Sequence, residues 1–215
     1  MGRKPDFIII GAMKCGTTAV HTMLSRHPDV WMPRGETRFF RRFPKRPLLV
    51  GECDPKILRE PDVLRSVRRK APDAKLLVLL RDPVMRYMSH YRHLVQRRWR
   101  RSIAAMWQRD PRRARRRGHY APQLRRVFRR FKRDQVLITF TEDLRSDTAA
   151  AMERIQVFLG LQPIHMENNP PPEYQPSDIP IFHIASKYYA SYNRDLYQLL
   201  RAPQILRWSG CQGLR

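Results

Sequence analysis

The first half of the chain alternates short apolar runs with stretches of helical period. Phe7-Ile8-Ile9-Ile10 is continuous, apolar and β-branched, the pattern of a strand covered on both faces in a parallel sheet. Gly11 to Gly16 predicts a turn. Thr17 to Arg26 predicts a helix with Val20, Met23 and Leu24 inward, broken by His27-Pro28-Asp29. Val30-Trp31-Met32 predicts a second strand followed by a polar loop from Pro33 to Thr37, and Leu48 to Gly51 predicts a third. Pro61 to Lys70 reads as a helix with proline in its first turn. Leu76 to Leu80 carries the clearest strand signal. It ends in Arg81-Asp82-Pro83 and leads into a helix from about Val84 to Arg98. Val136 to Phe140 adds a strand, and Thr148 to Leu159 a helix closed by Gly160.

This order predicts an α/β fold of three layers, a mainly parallel central sheet flanked by helices, in a single domain over residues 1–215. Ligands of such sheets sit beyond the carboxyl ends of the strands. Gly11 to Thr18, Glu36, Glu52 and Arg81 all follow predicted strands there.

Charge changes the picture in the middle of the chain. The whole sequence carries 43 Lys+Arg against 19 Asp+Glu, a formal net charge of +24, and such a field draws in anions. Sixteen of those bases and one acid, Asp110, lie from Arg97 to Arg133. Within this basic helical segment, residues 97–133, Ala104 to Trp107 predict a short helix. Leu124, Val127, Phe128 and Phe131 predict another. The plain reading is a pair of surface helices with solvated basic faces; the functional one is a platform for a polyanionic acceptor. Asn168 to Pro180 is a proline-rich loop.

Three cysteines, Cys15, Cys53 and Cys211, are too few and too scattered for a disulfide framework or a Cys/His metal site. The apolar run Phe7 to Ile10 is too short for a signal peptide, and no stretch approaches a membrane span. A cytoplasmic location follows if the sequence is full length, and a Golgi lumen location if an upstream anchor is missing.

Gly11-Ala12-Met13-Lys14-Cys15-Gly16-Thr17-Thr18 joins a buried strand to a helix. That is the arrangement in which backbone N–H groups and a helix N-terminus bind phosphate. It nearly matches the loop G-x-x-x-x-G-K-[ST], but Thr17 stands where that loop has its lysine, and the one lysine is Lys14. A lysine inside the loop suits a donor whose transfer needs no metal. Without a ligand, the segment is a glycine-containing strand-to-helix turn. The second constellation is Arg81-Asp82-Pro83-Val84-Met85-Arg86-Tyr87-Met88-Ser89-His90-Tyr91. A guanidinium fork and a hydroxyl there could share one phosphate. Equally, Arg81 and Asp82 could form a local ion pair.

Together the two segments resemble the donor-binding motifs of the sulfotransferases that use 3′-phosphoadenosine 5′-phosphosulfate (PAPS), in particular the heparan sulfate sulfotransferase branch. The resemblance implies that Lys14, Cys15, Gly16, Thr17 and Thr18 hold the 5′-phosphosulfate and that Arg81 and Ser89 hold the 3′-phosphate. Glu36, in Gly35-Glu36-Thr37-Arg38-Phe39-Phe40, matches the catalytic glutamate, with Lys14 as its catalytic partner. Glu52-Cys53-Asp54-Pro55 looks like the family's E-K-[ST]-P segment, with Cys53 in place of lysine. Gly118-His119-Tyr120 and Tyr188-Tyr189 through Tyr197 resemble later landmarks. The implied reaction moves a sulfuryl group to a hydroxyl or amine of an acceptor, an acidic glycan on grounds of charge. PAPS is the co-substrate, no metal is required, and nucleic acid is not expected as a partner. Three alternatives stand beside it. One is a Walker-like nucleotide kinase, against which Thr17 speaks. The second is a nucleic-acid-binding protein built on the Arg-rich segment, and the third a sulfotransferase relative that binds polyanions without turnover.

Overall fold

The computed structural model describes residues 4–33, 48–97, 102–110, 114–167 and 181–211. Strand β1 (Phe7–Gly11) is buried along its whole length, as an apolar run with no polar side requires. Helix α1 (Thr17–Leu24) follows, then β2 (Val30–Trp31), β3 (Leu49–Cys53), α2 (Pro61–Lys70) and β4 (Lys75–Leu80). Next come α3 (Pro83–Gln96), α4 (Ile103–Arg109), α5 (Tyr120–Phe128), β5 (Val136–Phe140), α6 (Thr141–Ser146), α7 (Thr148–Leu159) and α8 (Phe182–Leu200).

The strands form one sheet in the order β2-β3-β1-β4-β5, and all their pairings are parallel. The α/β expectation of a parallel central sheet flanked by helices holds. Strand β1 lies at the centre, with β3 on one side and β4 on the other, so the winding reverses there. A reversal of this kind opens a crevice at the carboxyl ends of the strands, where residues 11–18 begin. Gly51 sits opposite Phe7 in the ladder. A Cβ on Gly51 would come within 2.2 Å of the Phe7 ring, so only glycine fits.

Strand β3 runs further than its apolar residues indicate. Glu52 and Cys53, expected beyond the strand, lie inside it and are buried. Ile8 and Ile9 of β1 supply their ladder partners, and pairing with a central strand outweighs the weak β-preference of glutamate.

The chain divides into two compact units, Met1–Leu80 with Arg125–Pro170 and Arg81–Leu124 with Pro171–Arg215. The first contains the sheet with α1, α2, α6 and α7, packed through Val20, Leu24, Leu64, Val67, Met152 and Ile155. Two of its histidines are structural. His21 Nε2 lies 2.9 Å from the Pro33 carbonyl oxygen, and His27 Nε2 lies 3.0 Å from that of Gln162.

The second unit is built on α3, α4 and α8 around Tyr87, Met88, Ile103, Met106, Trp107, Ala185 and Tyr189. Trp107 meets Tyr87 and Tyr188 edge-on, with ring centroids 5.1 and 5.3 Å away. Arg86 is fully buried and donates to the Ala114 carbonyl at 2.6 Å. The basic segment is thus more than a pair of surface helices, since α4 turns Ile103, Met106 and Trp107 inward. Helix α5 starts at Tyr120, earlier than its apolar spacing indicates. It ends at Phe128, so Phe131 is buried but lies past the helix. Among the described residues, no helix is long and apolar enough to cross a membrane.

Candidate functional site

The loop from Gly11 to Thr18 lies in the first unit, between β1 and α1. Gly11 is required by close approach, because a Cβ there would fall 2.7 Å from the Leu58 Cβ. Ala12 N–H donates to the Leu79 carbonyl at 2.7 Å, tying the loop's start to β4. Lys14 then takes a left-handed conformation, φ 70°, which costs a non-glycine residue roughly 1–2 kcal/mol. Gly16 follows at φ 84° as the residue before α1, where glycine pays no such penalty.

Consecutive backbone N–H groups turned by left-handed residues form a concave anion nest. Gly16 has no side chain with which to cap α1. The N–H groups of Thr17, Thr18 and Ala19 have no acceptor within the helix, because the first turn offers none. The loop therefore presents a positive dipole end and a lysine in one place, the chemistry of an anion cradle.

The side chains divide their work. Cys15 is completely buried, so it serves through its backbone. Its carbonyl lies 2.9 Å from the Thr141 hydroxyl, which also lies 3.0 Å from the Leu80 carbonyl. Thr141 opens α6 directly after β5. The sequence reading missed it, although a polar residue at the carboxyl end of a strand was the signal that singled out the other candidates. Thr17 is buried and Thr18 exposed. Lys14 is half-buried.

Arg81 and Ser89 belong to the second unit. Arg81 precedes α3, and Ser89 lies within that helix, half-buried. Asp82 has a structural use. Its Oδ1 accepts the Val84 N–H at 2.8 Å and caps α3, while Oδ2 accepts the Ser209 N–H at 2.6 Å. Burial pushes the Asp82 carboxyl above the usual carboxylate range, with the bonds from Ser209 and Val84 pulling the other way. Tyr120 donates from its hydroxyl to the Arg81 carbonyl at 2.9 Å. Glu36 lies outside the described residues, as do Arg38 to Phe40 and the proline-rich loop from Asn168 to Pro180.

His119, beside Tyr120, stacks on Tyr192 with ring centroids 3.7 Å apart and places Nε2 3.0 Å from the Tyr188 hydroxyl. Burial, reinforced by Arg116 and Arg86, pushes its pKa down to about 4. The ring is neutral at pH 7 and its setting is a packed aromatic cluster.

A family model described as "Sulfotransferase domain" matches residues 4–169. The chain belongs to the sulfotransferase family. The human heparan sulfate glucosamine 3-O-sulfotransferase 3B1 is 34% identical over 188 residues, covering 74% of this chain and 47% of that protein. The human 3-O-sulfotransferase 6 is 30% identical over 187 residues, covering 74% of this chain and 53% of its own length. This sulfotransferase chain thus spans about half the length of the curated relatives it matches. Among solved structures, a sulfotransferase from Alicyclobacillus acidocaldarius superposes with a TM-score of 0.80 at 25% identity, covering 95% of this chain and 100% of its own. The mouse sulfotransferase SULT7A1, solved with PAP, shares the fold at a TM-score of 0.54 and 16% identity, covering 90% of this chain and 68% of its own.

Proposed function

We propose that this chain is a PAPS-dependent sulfotransferase domain acting on a hydroxyl or amine of an anionic polysaccharide. The observation that carries the reading is the cradle of residues 11–18. It is a left-handed lysine and an uncapped helix start at the carboxyl end of the central strand, in a chain of the sulfotransferase family. The relatives named for heparan sulfate glucosamine and a net charge of +24 support the acceptor class.

In this reading, the N–H groups of residues 16–18 and the Lys14 ammonium hold the 5′-phosphosulfate, and the Arg81 guanidinium and Ser89 hydroxyl hold the 3′-phosphate. Glu36 takes the proton from the acceptor as its oxygen or nitrogen attacks sulfur. The bond between sulfur and the bridging phosphate oxygen breaks, and the electron pair leaves on that oxygen as adenosine 3′,5′-bisphosphate. Lys14 stabilises the charge that develops there, a contribution that falls mainly in the transition state. Fixing the nucleotide at its far phosphate holds sulfur in line with the attacking atom.

The test supplies sulfate-labelled PAPS and a panel of heparan sulfate, tyrosyl peptides, lipids and small alcohols, with and without chelator. Label is expected in the glycan, unaffected by chelator. Label in no acceptor overturns the enzymatic reading, and label only in small alcohols overturns the acceptor class.

A further inference from the structure

The second unit contains a tether that ends on Arg81. Tyr120 is completely buried, and its hydroxyl reaches the Arg81 carbonyl at 2.9 Å. Its ring meets that of Trp208 in a T-shaped arrangement, with centroids 6.0 Å apart, and Trp208 is itself buried. The next residue, Ser209, donates its N–H to Asp82 at 2.6 Å, and its carbonyl accepts the Asn193 amide from α8 at 3.0 Å. Gly210 follows at φ 80°, where a Cβ would lie 2.3 Å from the Ser186 carbonyl oxygen. The segment around residues 208–210 is therefore seated on α8 with no slack. It holds the Arg81-Asp82 turn by its backbone N–H and by the ring under Tyr120.

We infer that Tyr120, backed by the Trp208-Ser209 segment, is a positioning residue that fixes the backbone of Arg81 so that its guanidinium meets the donor's 3′-phosphate. This rests on the 3′-phosphate role proposed for Arg81. An arginine on a turn has many rotamers and a mobile backbone, and a bidentate fork loses phosphate affinity when its origin wanders. Anchoring the carbonyl of the same residue removes that freedom without touching the ligand. Two buried phenols make the distinction from a general structural role measurable. Tyr189 is equally buried and donates to the Arg115 carbonyl at the same 2.9 Å. The Tyr189 hydroxyl also bonds the buried Arg86 side chain, and neither of its partners is Arg81.

The experiment measures binding of adenosine 3′,5′-bisphosphate and of adenosine 5′-phosphosulfate, which lacks the 3′-phosphate, to wild type, Tyr120→Phe, Tyr189→Phe and Arg81→Ala. Tyr120→Phe is expected to weaken the bisphosphate about fivefold, the worth of one hydrogen bond, and to leave the phosphosulfate unchanged. Tyr189→Phe is expected to lower the melting temperature at least as much and to leave both affinities unchanged. Equal bisphosphate affinity in Tyr120→Phe and wild type, or equal losses in both tyrosine variants, overturns the positioning role. If Arg81→Ala binds both nucleotides like wild type, the 3′-phosphate assignment itself falls.

Discussion

The Thr141 hydroxyl lies 2.9 Å from the carbonyl oxygen of Cys15, joining the first residue of α6 to the middle of a loop 126 positions earlier in the chain. Both groups are buried, so the bond is sheltered from water and its loss leaves a carbonyl without that partner. Thr141→Val keeps the shape and removes the hydroxyl. Denaturant unfolding is expected to show a loss of about 1–3 kcal/mol. Calorimetry is expected to show weaker binding of adenosine 3′,5′-bisphosphate, because residues 14–16 lose their support.

In the proposed reaction, Lys14 sets stability against function. Its φ of 70° is relieved by glycine, so Lys14→Gly is expected to melt at or above the wild-type temperature. Sulfate transfer from PAPS is expected to fall by roughly 10²–10³, as for loss of a charge-stabilising group. A melting temperature several degrees below wild type would refute the backbone half of this expectation.

Glu36→Gln removes the general base of the proposed reaction while keeping size and hydrogen-bonding capacity. The turnover number is expected to fall about 10²–10⁴-fold, with adenosine 3′,5′-bisphosphate affinity unchanged. Retained turnover would remove Glu36 from the reaction.

Gly11→Ala places a methyl group 2.7 Å from the Leu58 Cβ. Overpacking of this kind costs typically about 1–3 kcal/mol. Thermal unfolding is expected to show that loss. A double variant with Leu58→Ala is expected to be no more stable than Gly11→Ala alone, since alanine keeps the Leu58 Cβ that makes the shortest contact and leaves a cavity at a buried site.

His119 predicts an acid-side stability slope. Its pKa is pushed down to about 4 in the fold, against about 6.5 in an unfolded chain. Between those values the unfolded state binds more protons, so this contribution is fully present above about pH 6.5 and is lost progressively as pH falls toward 4. Melting curves over that range are expected to flatten in His119→Gln. The Asp82 carboxyl, raised by burial, acts with the opposite sign, its contribution weakening as pH rises through its folded pKa.

The regular part of the fold was legible because it is written in local pattern. Helix α2 begins and ends at Pro61 and Lys70 as expected, and Val136 to Phe140 and Thr148 to Leu159 fall where apolar runs and Gly160 set them. Helices α6 and α8 were not read. Thr141 to Ser146 is too short and too polar to show a period. Tyr188, Tyr189, Tyr192, Asn193 and Tyr197 in α8 registered as landmarks of a family rather than as a helix.

By itself the sequence determined the alternating strands and helices, the glycine-bounded lysine loop and its place after a buried strand, because apolar period and glycine spacing act over a few residues. It also determined the family, through side-chain types at fixed spacing. Only the tertiary structure decided what holds those pieces still. Thr141 supports Cys15, Tyr120 anchors Arg81, and Asp82 ties α3 to Ser209. Each of these bonds joins groups from 39 to 127 positions apart. No local pattern encodes such partners, because a hydroxyl or carboxylate finds its acceptor or donor only after packing has brought distant backbone within 3 Å.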